Sequence, residues 1–284
     1  MDLIQFFNVF GTNEKVIDFF IKNDLIYKYF KCEKCDYSTS LTLKKGHYKF
    51  RCCRSDCRCE KSAFYGTILF NSKVDYTRIM LCAYLWLNKL PLTKIYETSG
   101  LNHITGADYI SLFKEIILST LESEYNIIGG DGIVVEIDET KISKKTTNKE
   151  DIWIFGGIER TQEKKIFLIR VKDRKSTTLS EEIIKYIKSG SIINSDMWKG
   201  YCNSEELGFN HFKVNHSKYF RDPESGACTN TIEGIWSGIK RTLQNYVKNE
   251  ENINSGLFEY IWRRKNKNNE WNAFINALKM NHIE

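Results

Sequence analysis

The sequence predicts an α/β protein with a mixed sheet, preceded by a compact cysteine-rich module and a helical segment. Three observations carry this. The β-branched runs Ile133–Ile137, Ile152–Ile158 and Ile166–Val171 follow one another, and then a helical pattern alternates with short strands. Six of the nine cysteines fall between Cys32 and Cys59. Gly129-Gly130-Asp131-Gly132 is the clearest linker, and the pattern changes from helical to strand-like across it.

Taken in order, residues 14–30 place Val16, Ile17, Phe20 and Leu25 at helical spacing, with Asn13 expected as the N-cap. The cysteine-rich segment follows, with Tyr48–Phe50 as a strand. Residues 75–123 read as helices: Tyr76–Leu87, a break at Pro91, Thr93–Thr98, a turn at Ser99-Gly100, and His103–Glu122. Short helix, Gly-containing turn and longer helix is a helix-turn-helix outline. Beyond the linker, Leu179–Ile187 reads as a helix and Ser191–Ser195 and Phe212–Val214 as strands. A helix from Thr231 through Tyr246 carries the stripe Ile232, Ile235, Trp236, Ile239 and Leu243. Residues 263–269 read as a basic, polar tail. The expected division is a helical segment at 1–30, a cysteine module at 31–65, a helix-turn-helix-like domain at 74–125 and an α/β domain at 130–284 ending in a helical tail.

Composition narrows the function classes. The chain has 284 residues, a formal charge of +6 and two prolines. The apolar content of 42% excludes disorder as the main state. The longest uncharged apolar run, Ile79–Leu87, is far short of the roughly 20 residues of a membrane span, and no secretory signal is expected from the opening Met-Asp-Leu-Ile-Gln. An odd cysteine count with tight clustering favours a metal-bound module over a disulfide scaffold.

Cys32-x-x-Cys35 forms one knuckle able to present two thiolates to a tetrahedral zinc. The stretch to Cys52 suits a hairpin between two knuckles, a zinc ribbon. Cys52, Cys53, Cys57 and Cys59 compete for the remaining two positions; Cys52 and Cys57 are favoured. With four sulfur ligands the ion would be structural.

Three acids stand out. Asp138 is expected to end the first β-branched strand, Asp196 the fourth, and Glu233 lies in the first turn of the last helix. Two strand-end aspartates and a helix-borne glutamate can hold two Mg²⁺ or Mn²⁺ ions roughly 3.5–4 Å apart for in-line phosphoryl displacement. Asn230-x-x-Glu233 also fits a helix capping box, and Glu136 and Glu139 are rival acids. Lys240 lies two turns beyond Glu233, about 10 Å along the helix, where it can hold a phosphate. Lys141, Lys144, Lys145 and Lys149 would form a basic rim. Aromatics such as Trp153, Trp198, Tyr201 and Trp236 are more often core than base-stacking, and Trp236, on the apolar stripe, is expected in the core.

These residues form strings that resemble the Merlin superfamily of DDE transposases and their bacterial insertion-sequence relatives. The strings are Val135-Glu-Ile-Asp-Glu-Thr140, Ser195-Asp-Met-Trp-Lys-Gly-Tyr201, Val214-Asn-His-Ser-Lys218 and Thr229-Asn-Thr-Ile-Glu-Gly-Ile-Trp236, closed by Lys240-Arg241. The resemblance covers nearly the whole chain, including the order of zinc ribbon and helix-turn-helix. It implies a ribonuclease-H-like catalytic domain in which Asp138, Asp196 and Glu233 hold the catalytic metals. It further implies binding to double-stranded DNA at terminal inverted repeats and at a target, metal-dependent cleavage, 3′-hydroxyl strand transfer, and at least a homodimer on DNA. Lys240, Arg241, Lys141, Lys144 and Lys145 would contact DNA. Cys228 departs from the pattern, since related sequences often carry His there. The rival expectation is a DNA-binding regulator descended from a transposase, without catalysis; a third is a nuclease for RNA–DNA hybrids or junctions. No membrane association is expected, and the site of action would be the nucleus in a eukaryote and the nucleoid otherwise.

Overall fold

The structure, a computed structural model, describes residues 1–26, 31–44, 47–120, 127–142, 152–201, 204, 207–215, 221–223, 225–243 and 252–281. Among these, no helix is long and apolar enough to cross a membrane. The chain forms two compact units, one from Met1–Thr120 with Asn266–Glu284, the other from Leu121–Lys265.

In the first unit, helix α1 (Leu3–Phe10) opens in a capping box between Asp2 and Gln5. Helix α2 (Asn13–Lys22) is capped by Thr12, whose hydroxyl accepts the N–H of Lys15. The expected cap, Asn13, serves another helix instead. Its side-chain oxygen accepts the N–H groups of Tyr76 and Thr77, where α3 (Tyr76–Leu87) begins with no cap of its own. The helix also stops at Lys22 rather than reaching residue 30, with Asp24 in a left-handed conformation.

A small antiparallel sheet of β1 (Thr39–Lys44), β2 (His47–Cys52) and β3 (Glu60–Ser62) follows. Helices α4 (Leu92–Ser99) and α5 (His103–Ser119) succeed α3; Gly100, at φ +67°, ends α4 in the left-handed conformation that glycine adopts without steric penalty. The final helix, α9 (Glu270–Met280), closes this core. Trp271 packs edge-on against Phe6, Phe10 and Tyr84, and Phe274 against Trp86 and Phe113.

The second unit is a five-stranded mixed sheet in the order β6-β5-β4-β7-β8. Strands β4 (Val134–Ile142), β5 (Ile152–Glu159) and β6 (Ile166–Val171) are antiparallel; β7 (Ile192–Asp196) and β8 (Asn210–Val214) run parallel to β4. Both faces are covered, which explains the continuous β-branched runs. One face packs Val135, Ile137, Phe155 and Phe167 against Leu179 and Ile183 of α6 (Ser176–Tyr186). The other packs Ile154, Ile158 and Leu168 against α7 (Asn230–Leu243) and α8 (Asn252–Lys265). Residues 263–265, expected in a polar tail, end α8, where Arg263 pairs at 2.7 Å with the buried Glu259 one turn earlier. The expected extension of α7 to Tyr246 lies outside the described residues.

Candidate functional site

The cysteine module is closed. The hairpin register sets Thr39 opposite Cys52, which returns the chain to the first knuckle. Asp36 and Arg58 adopt left-handed backbone conformations in the two turns, so each knuckle folds back on its own sulfurs. The sulfurs of Cys32, Cys35, Cys52 and Cys57 all lie within 4.8 Å of one another. The contacts Cys32–Cys57 and Cys35–Cys52 measure 3.7 and 3.5 Å, near the edge of about 3.8 Å of a tetrahedron with 2.3 Å zinc–sulfur bonds. Backbone N–H of Lys34, the largest influence, brings the Cys32 thiol down to about 7, favouring the thiolate that ligates metal. Cys53 and Cys59 are exposed. This cluster could hold a structural metal such as zinc; among the described residues no other group of three or more such ligand atoms is as compact.

The acids are gathered less tightly: Asp138 feels the charge of Asp196, but among the described residues the three acids form no compact ligand group. Asp138 does not end its strand: β4 continues to Ile142, held by pairing with β5 as far as Ile142 opposite Ile152. In the parallel pair, Val134 opposes Ile192 and Glu136 opposes Asn194, where the pairing ends two residues before Asp138 and Asp196; the two carboxyls are near enough for the charge of Asp196 to act on Asp138. Trp236, buried on the apolar stripe of α7, donates its indole N–H to Asp138 Oδ2 at 2.7 Å. Gly156, opposite Asp138 on β5, makes room for it, since a Cβ there would lie 2.9 Å from the indole and 2.7 Å from Leu168. Burial raises the Asp138 carboxyl to about 7; the Trp236 N–H opposes this, and the charges of Glu139 and Asp196 add to it. Asp196 Oδ1 accepts the N–H of Trp198 at 2.9 Å. Glu233 is exposed on α7 and accepts the Thr229 hydroxyl at 2.8 Å.

The two rival acids have distinct partners. Glu136 shares the face of Asp138 by the two-residue period of a strand. It is fully buried and receives the N-terminus of α7: Oε2 accepts the N–H groups of Thr231 and Ile232 at 2.8 and 3.1 Å, and Oε1 accepts the Thr231 hydroxyl at 2.8 Å. Arg160 balances its charge at 3.2 Å. The helix is therefore anchored by a carboxylate from the sheet, and not through Asn230, its first residue. Glu139 points to the opposite face, where Arg174 donates to Oε1 at 2.7 Å and the Tyr201 hydroxyl donates to Oε2. Burial pushes Glu139 upward, opposed by Tyr201 and Arg174, and burial with the nearby carboxylates pushes Tyr201 well up.

The sequence profile of the family described as "ISXO2-like transposase domain" matches residues 128–254. An "Uncharacterized transposase-like protein" of Haemophilus influenzae is 31% identical over 116 residues, covering 40% of this chain and 91% of that protein. This chain belongs to the ISXO2-like insertion-sequence transposases. The matched residues of the transposase span the mixed sheet and contain all three acids. Its Lys240 and Arg241 are exposed on α7, two turns beyond Glu233, and Lys141 is exposed on β4. Lys144, Lys145 and Lys149 lie outside the described residues. Cys228 is buried just before α7, where its carbonyl meets the Asn194 amide at 3.5 Å.

Of the four aromatics, the sequence favoured the core outright for Trp236 and weighed core above base-stacking for the others. Tyr201 and Trp236 are buried and Trp153 half-buried, but Trp198 is 41% exposed. Sequence reasoning passed over the anchoring role of Glu136. The available signal was an acid two residues before Asp138, on the same strand face, in an otherwise apolar run.

Proposed function

We propose that the transposase cleaves DNA strands at the ends of its own element and joins the freed 3′-hydroxyls to target DNA, with Asp138, Asp196 and Glu233 as the metal-binding acids. The observation that supports this reading is the parallel pairing of β4 with β7, which ends two residues before Asp138 and Asp196, with Glu233 on the helix that Glu136 anchors to β4. Hard carboxylate oxygens suit Mg²⁺ or Mn²⁺, and the Asp138 carboxyl, raised mainly by burial and further by the charges of Glu139 and Asp196, is one whose ionised form a divalent ion would stabilise. Such ions, when bound, supply charge neutralisation at the attacking and leaving oxygens. Trp236 fixes the orientation of Asp138, Glu136 fixes the start of α7, and the exposed Lys240 would hold a flanking phosphate. A sheet of three antiparallel strands followed by two parallel ones supports a ribonuclease-H-like fold.

The four-cysteine cluster would hold one structural zinc, and its exposed Lys34, Arg54 and Arg58, together with α4 and α5 as a helix-turn-helix, would read the terminal inverted repeats. Joining two ends requires at least two copies on DNA. The test is nicking of DNA carrying an element end: activity should need Mg²⁺ or Mn²⁺ and vanish in Asp138→Ala, Asp196→Ala and Glu233→Ala with unchanged circular dichroism. Cleavage retained in Asp138→Ala would remove the mechanism.

A further inference from the structure

The second unit has a groove of about 590 Å³ between the turn that enters α6 and the turn that follows β7. Arg174, Lys175 and Ser176 line one side, Trp198, Lys199 and Gly200 the other. Its most telling member is Trp198. It is 41% exposed although the Arg174 guanidinium lies over its ring. Yet the ring is fixed. A Cβ at Gly200 would lie 2.6 Å from the indole nitrogen, so the ring rests on bare main chain. The Arg174 guanidinium lies 4.0 Å from the Trp198 ring centre and 4.4 Å from that of Trp153. Buried Glu139 holds Arg174 in turn.

The rim is cationic. Lys175 and Lys199 are exposed; Lys175 lies 3.7 Å from Asp173, which also accepts the Thr178 hydroxyl at 2.7 Å. No side chain caps the first turn of α6, which begins at this rim. A rigid, exposed aromatic beside cations matches single-stranded nucleic acid, whose bases offer a π-face and whose phosphates track positive charge. A base in an intact duplex has both faces covered by its neighbours.

The geometry points to this groove as a binding site for unpaired DNA nucleotides, with a base stacked on Trp198 and the adjoining phosphates on Lys175 and Lys199. The inference rests on the DNA-cleaving reading and deepens it: Trp198 follows Asp196 by two residues and its N–H holds that carboxylate. Strand ends handled at the acids would be unpaired on this side.

The test uses the full-length protein and an oligothymidylate bearing one 5-iododeoxyuridine, irradiated without added divalent metal. The cross-link is expected on the peptide containing Trp198. In anisotropy titrations, Trp198→Ala should weaken oligothymidylate binding about tenfold while leaving blunt duplex binding unchanged. Trp198→Phe should retain most of the affinity. Lys175→Ala with Lys199→Ala should lower the salt slope for single strands by about 1.4. Cross-links confined to other peptides, or equal loss of duplex binding in Trp198→Ala, would overturn the proposal. Cross-linking requires no cleavage, so it should persist in Asp138→Ala. A protein that nicks but does not cross-link at Trp198 loses this inference alone; one that cross-links but does not nick loses only the reading of the acids.

Discussion

The cysteine cluster, which could hold a metal, and the acids proposed to hold one are built in opposite ways. The four thiols come from one short stretch of chain and already stand at nearly tetrahedral spacing. Nothing about them is open, which suits an ion that holds a fold together. The acids come from two strands and a helix far apart in sequence, and each is held by a different protein donor: Asp138 by Trp236, Asp196 by the Trp198 N–H, Glu233 by Thr229. They are oriented without being closed around a point, as a site that must admit substrate requires. The thiols are organised locally by turns; the carboxylates are organised by the sheet and the helix packed on it.

Removing the metal should break the first region and spare the second. Purified protein should carry about one zinc per chain. Chelation or Cys35→Ser should abolish hydrogen-exchange protection across residues 31–62, since a structural zinc contributes on the order of 10 kcal/mol to such modules. Protection should persist in β4 and β5. Protein that is folded and free of zinc would defeat the comparison from the cysteine side.

Glu136→Gln probes the other region where it is most tightly built. An amide cannot accept from both N–H groups and the hydroxyl while balancing Arg160, so denaturant titration should show a loss of about 2–4 kcal/mol. Gly156→Ala forces the Trp236 indole or Leu168 aside; we expect about 1–3 kcal/mol of destabilisation and weaker nicking, because Asp138 loses its fixed donor. A smaller effect concerns charge. Asp138 binds its proton more tightly in the folded protein, about 7 against 3.8 in the unfolded chain. Its contribution to metal-free stability therefore falls as pH rises from about 4 to about 7 and is level above. Asp138→Asn should stabilise the metal-free protein by about 1–2 kcal/mol at pH 8 and by nothing near pH 4. Added Mg²⁺ should stabilise the parent protein more at pH 8 than at pH 5, and a reversed order in thermal melts would show that the carboxylates are not a cation site.

Much of this was legible in the chain. The strands at Ile152–Glu159 and Ile166–Val171 announced themselves because both faces of the sheet are covered, leaving β-branched runs. The cysteine knuckle was legible because its chemistry is local. The reach of β4 was not: Asp138-Glu-Thr-Lys141 has turn-like composition, and only pairing with β5 keeps it extended. The tail was legible as helical, but the bounds of α8 and α9 were not, because their apolar residues, Ile253, Leu257 and Ile261 in one and Phe274 and Leu278 in the other, are diluted by charged and amide side chains.

By itself the sequence determined which residue types could ligate metal, where strands and helices alternate, and the strings that mark a transposase, because these depend on identity and short-range spacing. Only the tertiary structure decided that Glu136 anchors a helix, that Asp138 lies mid-strand near Asp196, that Asn13 caps α3, and that Trp198 stands exposed over Gly200. Each of these depends on a partner distant in sequence or on burial, and neither is fixed until sheet and helices pack.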